Sequence, residues 1–141
     1  VEDVLYENIV MDEPEQWGVW IGPAQQSDSD NLCAAHPCSI CWPALPEKFA
    51  PCMSGSGRYR NITLRNITIR NSKKSPGVII GNMSTPMTNL TFDNVKFVNP
   101  GSKPWGSDYY RCSGVQNGVA VGDTWPVPNC FKDMTNRSPS P

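Results

Sequence analysis

Ile62-Thr63-Leu64-Arg65-Asn66-Ile67-Thr68-Ile69 is the stretch on which the reading of this chain turns. It reads apolar-x-apolar-x-Asn-apolar-x-apolar. The same pattern occurs twice more, as Val4-Leu5-Tyr6-Glu7-Asn8-Ile9-Val10-Met11 and as Leu90-Thr91-Phe92-Asp93-Asn94-Val95-Lys96-Phe97. Alternation of period two means strands. The parity breaks at the Asn: Ile62 and Leu64 share one parity, Ile67 and Ile69 the other. A straight strand would send the two pairs to opposite faces. A bend at Asn66 returns both to one side, and Asn is the non-Gly residue that most readily takes the left-handed conformation a bend requires. Each unit therefore reads as strand, Asn corner, strand.

A glycine-bracketed apolar element follows each unit: Gly18-Val19-Trp20-Ile21-Gly22, Gly77-Val78-Ile79-Ile80-Gly81 and Gly118-Val119-Ala120-Val121-Gly122. Three short strands per turn, repeated in tandem, describe coils of a parallel β-helix. The expected inward stacks are Val4/Ile62/Leu90, Tyr6/Leu64/Phe92, Ile9/Ile67/Val95 and Ile21/Ile80/Val121. Asn8, Asn66 and Asn94 are expected to align as a corner ladder. An antiparallel sandwich also has many short strands, but it does not explain why Asn and Gly recur at matching offsets. Residues 1–131 are thus read as coils, with a Cys-rich insertion at 23–57 and a second insertion at 99–117. Residues 132–141 are read as a Ser/Pro tail.

Composition agrees. The 141 residues contain 14 Pro and 11 Gly, which disfavours a helical bundle and suits strands joined by turns. The net charge of −1 and the lack of a basic block give no footing for nucleic acid. No apolar run approaches the roughly 20 residues of a membrane span. Six cysteines and five Asn-x-Ser/Thr sequons, at Asn61, Asn66, Asn82, Asn89 and Asn136, point to a secreted glycoprotein. Asn66 is expected to be unmodified because it belongs to the ladder. Asn61, Asn82, Asn89 and Asn136 are the expected carriers of N-linked glycans.

The corner strands, the Gly-Val-x-Ile strand and the ending of the chain resemble the C-terminal part of glycoside hydrolase family 28, the polygalacturonase family. The ending is the more specific part: Trp105, then Cys112-Ser113-Gly114-Val115, then Pro126-Val127-Pro128-Asn129-Cys130. The resemblance implies an all-β, right-handed parallel β-helix, here its last three coils and C-terminal cap, with Cys112 bridged to Cys130. It also implies inverting hydrolysis of galacturonan-type polysaccharide. That chemistry needs paired carboxylates, one as general acid and one to activate water. The family's Asn-Thr-Asp, Asp-Asp, Gly-His-Gly and Arg-Ile-Lys motifs are all missing from this chain, whose one histidine is His36. In family order they precede the segment seen here. The expectation is a fragment or processed half of a longer solenoid. Its open end would be covered by the N-terminal remainder of the protein or by another β-helix copy. Where many members place a Tyr near substrate, this chain has Gln25, with Gln26 beside it.

Other candidates have plainer readings. Cys33, Cys38, Cys41 and Cys52, with His36 among them, could in principle bind zinc, but the spacing is irregular and two disulfides fit better. Neither a metal nor a cofactor is expected. Asp12, Glu13 and Glu15 read as a solvated turn, and Asp28 and Asp30 as part of a Ser/Asp loop. Trp20 points outward by strand parity, which makes it the best candidate for a sugar-stacking ring, although packing under the 23–57 insertion is the simpler expectation. Trp42 and Trp105 read as anchors of their own loops. Two functions remain. In one, the chain is the non-catalytic end of a polygalacturonase-like hydrolase. In the other, it is a structural or carbohydrate-binding module of an extracellular wall, sheath or fibre. Both expect no hydrolysis of polygalacturonate by residues 1–141 alone.

Overall fold

The computed structural model describes residues 1–22 and 57–137. They contain strands and no helix: β1 (Glu2–Asp12), β2 (Val19–Ile21), β3 (Arg60–Arg70), β4 (Gly77–Ile80), β5 (Met87–Val98), β6 (Tyr110–Ser113), β7 (Val115–Gln116), β8 (Val119–Gly122) and β9 (Lys132–Thr135). Two sheets result. One runs β1-β3-β5-β8-β9 with β7 also on β5, and the other runs β2-β4-β6. All the strand pairs are parallel. From β1 to β6 the chain alternates between the sheets, so each repeat lays one long strand and one short strand beside those of the repeat before it, and β7, β8 and β9 then all join the first sheet.

The register follows the sequence repeat. Val4 pairs with Ile62 and Ile62 with Leu90; Tyr6, Leu64 and Phe92 align likewise, as do Ile9, Ile67 and Val95. The corners are more numerous than one Asn per repeat. Left-handed backbone occurs at Asp3, Asn8 and Glu13, again at Asn61, Asn66 and Asn71, and again at Asn89, Asn94 and Asn99. The spacing is five. Five is odd, so an uninterrupted strand would turn its apolar residues outward in the next segment. A left-handed residue at every fifth position cancels that flip. Ile62, Leu64, Ile67 and Ile69 consequently all face one core.

The side chains of the corners offset the strain of a left-handed L-residue, which is roughly 1–2 kcal/mol and smallest for Asn. Asn94 Nδ2 donates to Asn66 Oδ1 (3.4 Å), and Asn66 Nδ2 to Asn8 Oδ1 (3.4 Å). A second ladder runs Asn89 to Asn61 (3.0 Å) and Asn61 to Asp3 (2.8 Å). A third runs Asn99 to Asn71 (3.0 Å) and Asn71 to Asp12 (3.5 Å). The expected ladder of Asn8, Asn66 and Asn94 is thus the middle one of three.

The third repeat departs from the expected assignment. Gly118–Gly122 is not the counterpart of Gly77–Gly81. Its strand β8 lies on β5, with Phe92 opposite Ala120, while the partner of β4 is β6. The fourth expected stack is therefore replaced by Ile21, Ile79 and Cys112. Glycine brackets mark tight corners of either sheet, so they misled. Strands β6 and β7 lie inside the stretch 99–117 that the sequence suggested was an insertion, and β9 occupies the first residues of the suggested tail.

The C-terminal end closes over the core. Ala120 is small, and the Phe131 ring comes within 4.9 Å of the Phe92 ring. Gly118 is required there, because a Cβ would lie 2.6 Å from the Phe131 ring. Beyond β8, buried Thr124 accepts the Val95 N–H (3.2 Å). Trp125 then continues the edge, donating its N–H to Val95 O (3.0 Å) and accepting from Phe97 N–H (2.9 Å). A disulfide joins Cys112 to Cys130, tying the short sheet to this cap.

Candidate functional site

The feature least explained by stacking alone is an aromatic cluster on the short-sheet side. Trp17 lies in the turn before β2 and Trp20 in β2. Trp105 and Tyr109 lie in the connection from β5 to β6. The Trp17 and Trp105 rings stack at 5.1 Å between centroids, Trp20 lies 6.0 Å from Trp17, and Tyr109 lies 6.4 Å from Trp105. The Lys74 ammonium stands 5.2 Å over the Trp17 ring and the Arg111 guanidinium 5.9 Å over the Trp105 ring. Three repeats thus contribute to one patch.

Buried serines position it. Ser75 Oγ accepts the Trp105 N–H (3.0 Å), and the Ser75 N–H donates to Lys103 O (2.7 Å). Ser72 Oγ accepts the Gly101 N–H (3.3 Å). These bonds hold the 99–109 connection against the preceding repeat. Chemically the patch offers ring edges, the exposed Tyr109 and two cations. The Trp17 and Trp105 faces are taken up by each other and by these cations, so the cluster reads first as a cation–π stack that ties three repeats together.

Trp20 is half-buried and belongs to this patch, and Trp105 anchors its connection through the Ser75 contact. Trp17 and Tyr109 are 92 residues apart in the sequence, and no spacing rule joins them to Trp20 and Trp105. The signal that could have found them is the density of aromatics at repeat boundaries. Gln25, Gln26, His36, Trp42, Cys33, Cys38, Cys41 and Cys52 lie outside the described residues, as do Asp28 and Asp30.

No carboxylate pair poised for acid–base work is seen among the described residues. A general acid must stay protonated near neutral pH, but Asp123 and Asp133 move the other way. The Lys96 ammonium, 2.8 Å from Asp123, holds that carboxyl below its usual range, and the Thr135 hydroxyl and N–H do the same for Asp133. Glu2, Glu15 and Asp93 pair with Arg60, Lys73 and Arg65. No group of three His, Cys, Asp or Glu among the described residues could hold a metal. No helix there is long and apolar enough to cross a membrane. Burial raises the phenol of Tyr110 far above its usual range, so it stays neutral in the core.

Two of the sequons expected to carry glycans share the ladder geometry of Asn66. Asn61 and Asn89 are ladder members like Asn66, with neighbouring side chains 2.8–3.0 Å away. The argument that leaves Asn66 unmodified applies equally to them. Asn82 sits in the β4–β5 turn, where its Oδ1 accepts the Ser84 N–H (2.8 Å), and Asn136 is exposed after β9.

Comparison with known protein families, with curated proteins and with solved structures finds no match.

Proposed function

We propose that this chain is the closing, non-catalytic part of a secreted, polygalacturonase-like right-handed parallel β-helix that acts on galacturonan-type polysaccharide. The observation that carries the reading is the in-register parallel stacking of three repeats ended by the Cys112–Cys130 bridge. That arrangement fits the coils and cap the resemblance implies. The disulfide and the sequons support an oxidising, extracellular setting. In this role residues 1–22 and 57–137 supply scaffold and cap, and the carboxylates that would cleave the glycosidic bond belong to other coils.

A second reading is favoured by the aromatic cluster with Lys74 and Arg111: a carbohydrate-binding module with no hydrolytic partner coils. Two measurements separate the readings. The 141-residue chain should release no reducing ends from polygalacturonate. The coding sequence upstream of Val1 should carry Asn-Thr-Asp, Asp-Asp and Gly-His-Gly motifs at coil spacing. Substituted motifs there would reject the hydrolase and leave the binding module. Retardation of the chain in a polygalacturonate gel, lost in Trp105→Ala, would support the module's sugar contact.

A further inference from the structure

The opposite end of the stack is built differently from the capped one. The inward residues of β1 and β2, Tyr6, Ile9, Met11 and Ile21, line an apolar depression of about 380 Å3. Tyr6 is 52% exposed, whereas its stack partners Leu64 and Phe92 are 7% and 0% exposed. Among the described residues, β1 ends its sheet, with β3 on one side of it and no strand on the other. An open strand edge beside an apolar face is a template for strand addition.

Charge selects the occupant. Residues 1–22 contain Glu2, Asp3, Glu7, Asp12, Glu13 and Glu15 and no Lys or Arg. On the covered side of β1 the register sets Glu2 against Arg60, Glu7 against Arg65 and Asp12 against Arg70. Every ladder amide donates from a later repeat to an earlier one, so the amide of Asn8 is the next donor in the middle ladder. A second copy docked head to head would bring acid against acid, which is destabilising in directly opposed strand pairs.

We propose that this face binds a parallel β-strand segment of the apolar-x-apolar-x-Asn pattern that carries Arg or Lys at outward positions five residues apart. Its apolar residues would cover Tyr6, Ile9 and Met11. Its cations would stand opposite Glu2, Glu7 and Asp12 in register, as Arg60, Arg65 and Arg70 do on the other edge, where Arg60 pairs with Glu2 at 2.9 Å and Arg65 turns to Asp93. The inference rests on the stacking of parallel repeats and is independent of any action on galacturonan.

The test uses a fluorescent peptide copying residues 58–71 of this chain, which carries that pattern, titrated into the intact 141-residue protein and followed by anisotropy. The expected result is saturable binding that weakens as salt rises and slows amide exchange along β1. Binding should fall at least tenfold for a peptide with Arg60, Arg65 and Arg70 changed to Glu, and for the protein variant Glu7→Arg. Equal binding of the charge-reversed peptide, or no binding at all, overturns the proposal. A sedimenting dimer would make a second copy the occupant. A monomer with β1 edge amides protected before peptide is added would make residues 23–56 the occupant. Either result also overturns it. A negative result on polygalacturonate leaves this outcome untouched.

Discussion

The two ends of the stack are made from the same pattern and finished in opposite ways. At the C-terminal end, Phe92 lies under Ala120 and Phe131, and the strand edge beyond Asp93 is taken up by Thr124 and Trp125. At the other end, Tyr6 occupies the position of Phe92 in its own repeat and stands half in the open. A strand in such a stack gains most of its apolar burial from a neighbour on each side. The difference is therefore one of neighbours and not of sequence propensity, and substitutions at matched positions measure it.

The largest contrast is at the shared stack. Phe92→Ala should cost about 3–5 kcal/mol, since it empties a site packed against Tyr110 and Phe131. Tyr6→Ala should cost no more than about 1 kcal/mol, close to a surface change. Chemical denaturation of both variants checks this. Equal losses would mean that the β1 end is covered in solution.

The cap's tie comes next. Replacing Cys112 and Cys130 together with Ser removes a link across 18 residues. A loop of that size corresponds to about 3 kcal/mol in the chain-entropy account. Hydrogen exchange should then quicken in β8 and β9 while β1 keeps its rate. Loss of protection at β1 as well would show that the two ends unfold as one unit.

The corner residues give a smaller and graded effect. Asn94 donates to Asn66, accepts the Asp123 N–H (2.8 Å) and holds a left-handed backbone. Asn94→Ala should cost about 2 kcal/mol from strain and lost hydrogen bonds. Asn8→Ala, with one ladder bond at the open end, should cost about 1 kcal/mol by the same reasoning. Asn66→Gly should recover part of the Asn66→Ala loss, because glycine accepts the positive φ. If Asn66→Gly and Asn66→Ala destabilise equally, the ladder bonds and not the backbone set the cost.

Much of the fold was legible because the pattern states its own geometry. Ile62, Leu64, Ile67 and Ile69 could share a face only if the chain turned at Asn66, and it does. Asn61 and Asn71 bound the apolar run and break no visible parity, so the pattern marks them as strand ends and not as corners. The glycine brackets around Val119–Val121 misled, since a glycine reports a tight approach without saying to which sheet. The aromatic patch was illegible for a further reason. Trp17 and Trp105 meet through the stacking of repeats 28 residues or more apart, and only the three-dimensional register brings them together. The open, acidic end was visible as composition in residues 1–22, but its meaning depends on the Arg residues opposite in β3.

The smallest effect concerns pH, and it is local to the capped end. At the capped end Asp123 is half-exposed and lies between Lys96 (2.8 Å) and Arg137 (3.9 Å). The hydrogen bond from Lys96, with its charge, holds the carboxyl below the ordinary aspartate range. A carboxyl whose folded value is depressed stabilises the fold above its unfolded value, and that contribution is lost as pH falls through the folded value. The capped end should therefore loosen in acid, only below the ordinary aspartate range and only slightly, because the pair is solvated. Carboxyl chemical shifts followed against pH should place the midpoint of Asp123 below that of a free aspartate. Asp123→Asn should flatten the acid response of β8 and β9 amide exchange. If β1 changes in step with them, the acid effect does not belong to the Lys96 pair.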